Sequence, residues 1–527
     1  MDDGRRTDEH AAPRRRPSAL ALAGLAAVAL VVGVSMAFRL IALDHVPGIN
    51  GDEAWYGVQA EEALAGRPFA WRTPMGNPLN PLHTGPIFLA HLFGAGPAFW
   101  VLRLPSAAAG LLLVGLTYLL VRRTFGREAA LIATMLMACL PVNIVYSRLG
   151  WDPSESGLAD LIVLYLVFRR RWIWAAGAFG GALLIHPTNI FLAPVAAGCA
   201  VGVLAAGAAD AVQRRRVFLW AAGIGGGLAC LGLFVLASPH APRFAPPLEA
   251  IGGRACDLSG WIAFAGLYGQ LLSGVTVYRY VVGPLSDSVV AVHDVLFWAL
   301  VLALLFLGLP RLIRQRNWAA LGLLAGLGLG LACFYLVAGL AAITPHQERY
   351  ALFCVVPSCL AATVLADALR GSRLGGKPWP VCGLALCAVL LTVFHVQYFA
   401  RMRATGGESH RTYWTGRVEP KLAAVRLILA ETPAAGAVTI VAEDWWSYWP
   451  IRYLVAQEER VMVICAEKNP GIPLPPGAAR TASRIFVVGF AGGPMEQRFA
   501  ARGVARRSWP IVNYRGDTVM HVWDVSP

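Results

Sequence analysis

Long apolar stretches, each near twenty residues, recur from Leu20 to about residue 400 and constrain the fold more than any other sequence feature. The hydrocarbon core of a bilayer is about 30 Å thick, and a helix of about 20 apolar residues crosses it. Only 14% of the residues are charged, against about a quarter in soluble proteins. The sequence therefore predicts a polytopic α-helical membrane protein with membrane lipids around most of its surface.

About eleven transmembrane helices are expected in this part of the chain. Their predicted bounds are residues 19–43, 104–121, 128–146, 154–168, 172–186, 188–207, 217–237, 290–309, 318–340, 350–368 and 379–399. The first stretch is long for the core of a signal peptide and lacks a convincing cleavage site. It is therefore expected to remain as the first span.

Clusters of basic residues separate the apolar stretches on one side of the predicted membrane. They are Arg122/Arg123/Arg127, Arg169–Arg171, Arg214–Arg216, Arg311/Arg314/Arg316 and Arg370/Arg373/Lys377. Basic residues concentrate in cytoplasmic loops, so this side and the basic N-terminal residues 1–18 are expected in the cytoplasm. Topology thus explains the net charge of +14, and nucleic acid is not expected as a partner. We expect a multi-pass protein of the inner (cytoplasmic) membrane.

The segment Trp261–Gly283 is apolar enough to cross the membrane, yet it contains Gln270 and Arg279. Counting it as a span would place the basic cluster at 311–316 outside and invert every later loop. We therefore predict an external loop, residues 238–289, with a helix that lies in or dips into the interface. This choice gives a membrane domain at 19–400 and an extracytoplasmic C-terminal tail.

The tail, residues 401–527, has a different composition. Short apolar runs typical of strands alternate with helical patterns, which indicates a small α/β domain. The predicted strands include Ala437–Val441, Val461–Ile464, Ile485–Val488 and Thr518–Trp523, and Pro470–Pro476 is predicted to be a rigid loop.

Two adjacent carboxylates, Asp52 and Glu53, open the first external loop, residues 44–103. An acid at this position favours the N-terminus of a following helix, which is one explanation. The alternative is a general base, or an anchor for a metal or a sugar, at the membrane surface. The loop is also rich in Trp, Pro, Asn and His, and includes His83.

Other external loops carry further candidates on the same face of the membrane. Asp152 precedes Pro153 between the third and fourth spans, where a helix cap is the structural alternative. His186 lies in the turn between spans five and six. Arg349 follows His346 and precedes Tyr350 at the outer end of a span, where a guanidinium is placed to bind a lipid-linked phosphate or to anchor the interface.

Four motifs then occur in a recognisable order. They are Asp52-Glu53, His83-Thr84-Gly85-Pro86, Leu102-Arg103-Leu104-Pro105-Ser106-Ala107 and His346-Gln347-Glu348-Arg349-Tyr350 with Pro357. On these motifs, residues 19–400 resemble the GT-C superfamily of polytopic glycosyltransferases. The resemblance is to the protein mannosyltransferase-like and aminoarabinose transferase-like branch (glycosyltransferase family 39-like). The chain departs from that branch at His83 and His186, where its relatives often carry lysine.

The resemblance implies a function. The family transfers a sugar from a polyprenyl-phosphate donor to a lipid, glycan or protein acceptor at the outer membrane face. It implies Asp52 as catalytic base, with Glu53 and Asp152 in the catalytic set. The residues implied to bind substrate are His83, Arg103, His186, His346, Arg349 and Tyr350. A divalent cation, Mg²⁺ or Mn²⁺, is left open, with Asp52 and Asp152 as its ligands.

Two alternatives compete with the glycosyltransferase. A transporter or flippase would bind a lipid-linked sugar without breaking a bond, and such proteins commonly carry internal repeats and charged broken spans. The sequence shows no evident repeat, and its polar residues cluster at one face. A scaffold that uses the tail for binding is the second alternative, and the acids in two external loops argue against it.

Overall fold

The computed structural model describes residues 19–74, 76–219, 246–370, 378–467, 484–502 and 505–526. The predicted span at 217–237 falls largely outside these ranges, as do the N-terminal residues 1–18 and the proline-rich loop at 470–476.

Helices form most of the described chain up to residue 405. The first set is α1 (Ala19–Leu40), α2 (Gly51–Leu64), α3 (Pro81–Leu92), α4 (Phe99–Phe125), α5 (Arg127–Cys139), α6 (Pro141–Tyr146), α7 (Ser156–Phe168), α8 (Trp172–Ile185) and α9 (Leu192–Ala206). The second set is α10 (Leu248–Cys256), α11 (Leu258–Ser273), α12 (Val275–Val281), α13 (Asp287–Arg314), α14 (Trp318–Ala338), α15 (Val355–Leu369), α16 (Pro378–Phe394) and α17 (Arg401–Thr405). Short 3₁₀ segments at Asp152–Glu155, Pro187–Phe191, Leu340–Ile343 and Glu348–Cys354 sit between them.

Among the described residues, six helical segments are long and apolar enough to cross a membrane. Two shorter apolar helices, Ala26–Leu40 and Trp172–Ile185, accompany them. The chain is thus a polytopic helical membrane protein, as predicted, while the number of eleven spans stays a prediction. Helices α11 and α12, which cover the contested Trp261–Gly283 segment, are bent by 75° at Gly274.

The predicted span at 128–146 is broken into α5 and α6. Pro141 has no backbone N–H, so the helical hydrogen bond to the carbonyl oxygen of Met137 cannot form. The guanidinium of Arg39 on α1 replaces it, donating to Met137 O at 3.2 Å and to Ala138 O at 3.1 Å. A fully buried arginine in the first helix therefore stabilises the break.

In the tail, helices alternate with the strands of one five-stranded sheet. Its elements are α18 (Pro420–Glu431), β1 (Val438–Ala442), α19 (Trp445–Leu454), β2 (Val461–Cys465), β3 (Arg484–Phe490), α20 (Pro494–Arg502), β4 (Arg507–Val512) and β5 (Thr518–Asp524). The strand order is β2-β1-β3-β5-β4, with β1 parallel to β2 and β3, and β5 antiparallel to β3 and β4. Strand β4 was not predicted because Pro510 interrupts it, and proline is accepted at a sheet edge.

One apolar core joins the tail to the segment that contains α2 and α3. Trp55 and Tyr56 of α2 and Ile87 of α3 lie in the same buried cluster as Ile440 of the sheet and Ile451 of α19. The tail therefore packs directly on the helix that begins with the two adjacent acids.

Candidate active site

Helix α2 starts at Gly51, and the side chain of Asn50 caps it by accepting the Asp52 N–H at 2.7 Å. The first turn thus carries both adjacent acids, which point to different surroundings. Asp52 is half-buried, and the indole N–H of Trp445 donates to its Oδ1 at 3.0 Å. Burial raises the pKa of Asp52, and the charge of Arg349 and the indole hydrogen bond oppose this rise.

Glu53 has no exposed surface and forms an ion pair with Arg103, whose side chain is equally buried. Arg103 Nε and Nη2 each lie 3.1 Å from Glu53 Oε2. The N–H of Gly150 donates to the other carboxylate oxygen, also at 3.1 Å. All of the Glu53 carboxylate is therefore engaged within the protein.

Arg103 also donates to backbone carbonyl oxygens at the exit of the first helix. Its Nη1 lies 2.6 Å from Leu43 O, and its Nη2 lies 3.0 Å from Pro47 O. The sequence grouped Glu53 with the catalytic residues and Arg103 with the substrate-binding residues. The geometry does not support either role, because the pair closes on itself and fixes the start of α2.

His83 is likewise buried and fully engaged. Its Nδ1 lies 2.9 Å from Glu155 Oε1, and its Nε2 lies 3.1 Å from the carbonyl oxygen of Gly150. Burial lowers the pKa of His83, but the hydrogen bond and charge of Glu155 offset this and leave that pKa raised. Asn80 donates to the second oxygen of Glu155 at 3.0 Å. His83 thus ties the start of α3 to the segment at Gly150–Glu155, and the geometry does not support the expected contact with substrate.

Asp152 lies close to Asp52, at the start of the 3₁₀ segment after α6. It accepts a hydrogen bond from the hydroxyl of Tyr56, one turn along α2 from Asp52. Burial raises the pKa of Asp152 to about 7, against the charge of His83 and the Tyr56 hydrogen bond. The negative charge of Asp52 adds to that rise. The two carboxylates therefore share one electrostatic environment.

Arg349 brings a positive charge to the same place. Its guanidinium carbon lies 5.2 Å from the ring centres of both Trp151 and Tyr350, so it is held by cation–π contacts. Nη2 makes a long contact of 3.5 Å with the Tyr350 hydroxyl. Within the described ranges the guanidinium has no ion-pair partner, although its charge acts on Asp52. It is therefore free to bind an anion.

His186 stacks on Tyr350, with ring centres 5.5 Å apart. Its Nδ1 accepts the backbone N–H of Thr188 at 3.3 Å and lies 2.7 Å from the Thr188 hydroxyl. Burial and the charge of Arg349 lower the pKa of His186 to about 4. The ring is therefore neutral near pH 7.

His346 is exposed and adopts a φ of 86° in the loop before Arg349. Its ring centre lies 4.6 Å from Tyr280 and 5.7 Å from His410 of the tail. His410 in turn contacts Trp446 at 5.2 Å. An aromatic edge shared by membrane domain and tail thus borders the Asp52 site.

A divalent cation was left open by the sequence. Among the residues that the structure covers, no group of three or more His, Cys, Asp or Glu is placed to hold a metal ion. Asp52 and Asp152 each accept a hydrogen bond from an aromatic residue, and Arg349 already acts on Asp52. These donors and this fixed charge do not fit a resident cation.

Sequence reasoning missed Trp445, Tyr56 and Trp151. Tyr56 follows Asp52 at helical spacing, which places both on one face of α2. Trp151 adjoins Asp152, and Trp445 is followed directly by a second tryptophan. No local signal, however, connects Trp445 with Asp52, because 393 positions separate them.

Comparisons with known proteins agree with the predicted family. Residues 87–234 match the family model described as dolichyl-phosphate-mannose-protein mannosyltransferase. A putative mannosyltransferase, YkcB, of Bacillus subtilis (strain 168) is 36% identical over 84 residues. That match covers 15% of this chain and 12% of the relative. The chain thus spans about an eighth of the length of YkcB.

Solved structures are also similar to the chain. The oligosaccharyltransferase AglB of Archaeoglobus fulgidus, in complex with an inhibitory peptide and a dolichol-phosphate, has a TM-score of 0.49 at 14% identity. The match covers 90% of this chain and 70% of the AglB chain. ArnT of Cupriavidus metallidurans, bound to undecaprenyl phosphate, has a TM-score of 0.43 at 17% identity and covers 94% and 97%. By sequence, residues 87–234 are therefore similar to the protein mannosyltransferase family.

Proposed function

We propose that this protein transfers a sugar from a polyprenyl-phosphate-linked donor to an acceptor at the outer face of the inner membrane, with Asp52 as catalytic base. The observation that carries the proposal is the convergence of Asp52, Asp152 and Arg349, which come from three separate external segments. Each acts electrostatically on another member of the set. Half-buried carboxylates beside a guanidinium that has no ion-pair partner among the described residues carry a desolvation cost, whereas a transfer reaction needs both kinds of group.

The proposed step is a single displacement. A free oxygen of Asp52 accepts the proton of the acceptor's nucleophilic group as that group bonds to the anomeric carbon of the sugar. The bond between this carbon and the phosphate oxygen breaks, and its electron pair leaves with the polyprenyl phosphate. Arg349 stabilises the negative charge that develops there. One proton and one glycosyl group move, and no oxidant or cofactor is consumed.

Asp152 has a different role in this scheme. With a pKa of about 7, part of the population is protonated at neutral pH and can donate a hydrogen bond. Its contact with Tyr56 holds it beside Asp52. Asp152 therefore orients the acceptor, while Asp52 takes the proton.

The neutral ring of His186 and the phenol of Tyr350 border Arg349, and His346 stands at the edge of the site. We assign these three residues to the walls of the donor and acceptor pockets. Glu53, Arg103 and His83 position the loops around the site and contact no substrate. The lipid-linked donor is supported by the name of the family that residues 87–234 match.

The proposal includes a topology. The basic residues 1–18 lie in the cytoplasm, residues 19–400 form the membrane domain with about eleven spans, and the tail from 401 to 527 lies outside. Loops 44–103 and 238–289 then share the outer face with the tail. The packing of α2 against the tail supports this placement, because both must be on one side of the membrane.

The test uses purified protein in lipid vesicles with a radiolabelled polyprenyl-phosphate sugar. Cleavage of the sugar–phosphate bond, with transfer to acceptors extracted from the cell envelope, is expected. Asp52→Asn should reduce transfer by about 10³-fold without lowering the thermal unfolding midpoint. Asp44→Asn, at an exposed acid of the same loop, is the matched control and should retain full transfer.

Two results would overturn the proposal. Full transfer by Asp52→Asn would show that Asp52 is not the catalytic base. Movement of the intact donor across the vesicle membrane, without bond cleavage by the native protein, would favour a transporter instead.

A further inference from the structure

Near its C-terminal end, helix α19 of the tail contacts α2 and the residue that precedes α4. Arg452 Nη2 lies 2.8 Å from Glu62 Oε1, and the hydroxyl of Tyr453 donates to Ala98 O at 3.2 Å. At the other end, a capping box formed by Asp444 and Ser447 fixes the first turn. The position of Trp445, the first residue of α19, is thus set by the docking of the whole helix.

Gly51 allows Trp445 to come this close. A Cβ atom at Gly51 would lie 2.8 Å from Trp445 Cδ1 and 2.8 Å from its carbonyl oxygen. Such a distance is shorter than real carbon contacts, so any other residue would displace the tryptophan. The close approach of the tail therefore requires a glycine immediately before Asp52.

We infer that Trp445 is a positioning residue for Asp52, and that the C-terminal tail thereby completes the active site. The indole N–H donates to Oδ1 at 3.0 Å, and no hydrogen bond to Oδ2 is formed by the described residues. An indole N–H is a donor only, so it cannot accept the proton that Asp52 removes. It holds one oxygen and leaves the other for the acceptor. This inference rests on the proposed role of Asp52 as base.

Several charged or titratable groups face Asp52 from the surrounding elements. Arg349 and the indole of Trp445 favour its ionised form, and the negative charge of Asp152 opposes it. The phenols of Tyr56 and Tyr280 also interact with it, and both are neutral at ordinary pH. Removal of the indole donor leaves Arg349 as the principal group that stabilises the carboxylate.

The test compares Trp445→Phe with Trp509→Phe, which changes a tail indole in β4 that packs on Phe486. Loss of a hydrogen bond to a charged group is expected to raise the apparent pKa of Asp52 by about one unit. The acid limb of the pH–rate profile should move up by that amount in Trp445→Phe. Transfer should fall about tenfold on the acid side and recover at high pH. The Trp509→Phe profile should match that of the native protein.

A second pair of variants covers the case in which Trp445→Phe does not fold. Gly51→Ala places a methyl group against Trp445, whereas Gly85→Ala adds one where no atom lies within 4 Å. Gly51→Ala should shift the acid limb in the same direction, and Gly85→Ala should not. An unchanged acid limb in folded Trp445→Phe or Gly51→Ala overturns the inference.

A readout independent of transfer separates this inference from the proposed function. Infrared difference spectroscopy of a pH titration should show a carboxyl band that Asp52→Asn lacks, and its midpoint should rise in Trp445→Phe. If Asp52→Asn keeps full transfer, the proposed function fails whatever the band does. If Asp52→Asn is inactive and the midpoint does not move, only the role of Trp445 fails.

Discussion

Two acid–arginine pairs involve the adjacent acids at the start of α2, and they differ in what surrounds them. Glu53 and Arg103 are both without exposed surface, and backbone groups satisfy their remaining donors and acceptors. Asp52 and Arg349 are half-buried and interact electrostatically without a direct ion pair. Glu53 thus belongs to a closed network, in which protein groups satisfy the charges. Asp52 belongs to an open network, in which the charged groups remain able to bind a ligand.

Within one helical turn, Glu53 is placed to stabilise the fold and Asp52 is placed to take part in a reaction. Neighbouring residues on a helix point about 100° apart, so Glu53 faces α4 and Asp52 faces the tail and Arg349. A buried pair that is fully hydrogen-bonded costs much when one partner is lost. A half-buried acid beside an unpaired cation can instead take part in a reaction. Variants of the two pairs should therefore fail in different ways.

The largest effect on stability is expected for Glu53→Gln. It leaves the Arg103 charge buried without a counter-ion, which costs about 3–5 kcal/mol. Thermal unfolding in detergent should show this loss, and the double variant Glu53→Gln/Arg103→Met should recover part of it. Asp52→Asn is the matched control, with an unchanged unfolding midpoint. A stable Glu53→Gln that has lost transfer would instead return Glu53 to the catalytic set.

The next effect, on donor binding, is expected for Arg349→Lys. Lysine keeps the charge but loses the planar group that stacks between Trp151 and Tyr350 and that can bind phosphate through two N–H groups. Binding of labelled polyprenyl phosphate should weaken about tenfold to a hundredfold. Arg279→Lys, at an exposed arginine of α12, should bind as the native protein does. Equal binding by Arg349→Lys would show that Arg349 does not contact the phosphate.

These two pairs also show what the sequence could and could not predict. The apolar stretches and basic clusters predicted the membrane class, and the predicted topology assigned Asp52, Asp152 and Arg349 to one face. Which of two adjacent acids meets Arg103 depends on how α2 rotates against α4. That rotation is fixed by close packing, such as Gly57 against Leu102, where an added Cβ would lie 2.5 Å away. Such contacts leave no local pattern in the sequence.

A smaller effect is expected for His83→Asn, in the link between the two loops. The substitution removes one donor from the buried Glu155 carboxylate, which costs about 1–3 kcal/mol. The unfolding midpoint should fall while the affinity for polyprenyl phosphate stays unchanged. Asn80, which donates to the other oxygen of Glu155, offers the matched control, since Asn80→Ala should behave in the same way. Selective loss of donor affinity in His83→Asn would restore the substrate contact that the sequence suggested.

The smallest effect is expected from the pH dependence of stability at Asp152. Its pKa is about 7 in the folded protein and about 4 in an unfolded chain. Between these values the folded state binds more protons than the unfolded state, so this carboxyl destabilises the fold progressively as pH rises. Above pH 7 both states are ionised and the penalty is constant. Asp152→Asn has no such penalty, so its unfolding midpoint relative to the native protein should rise by about 1–3 °C between pH 5 and pH 8. Asp44→Asn, at an exposed carboxyl, should show a constant difference over the same range. A constant difference for Asp152→Asn would place Asp152 in water, outside the open network that it is proposed to share with Asp52.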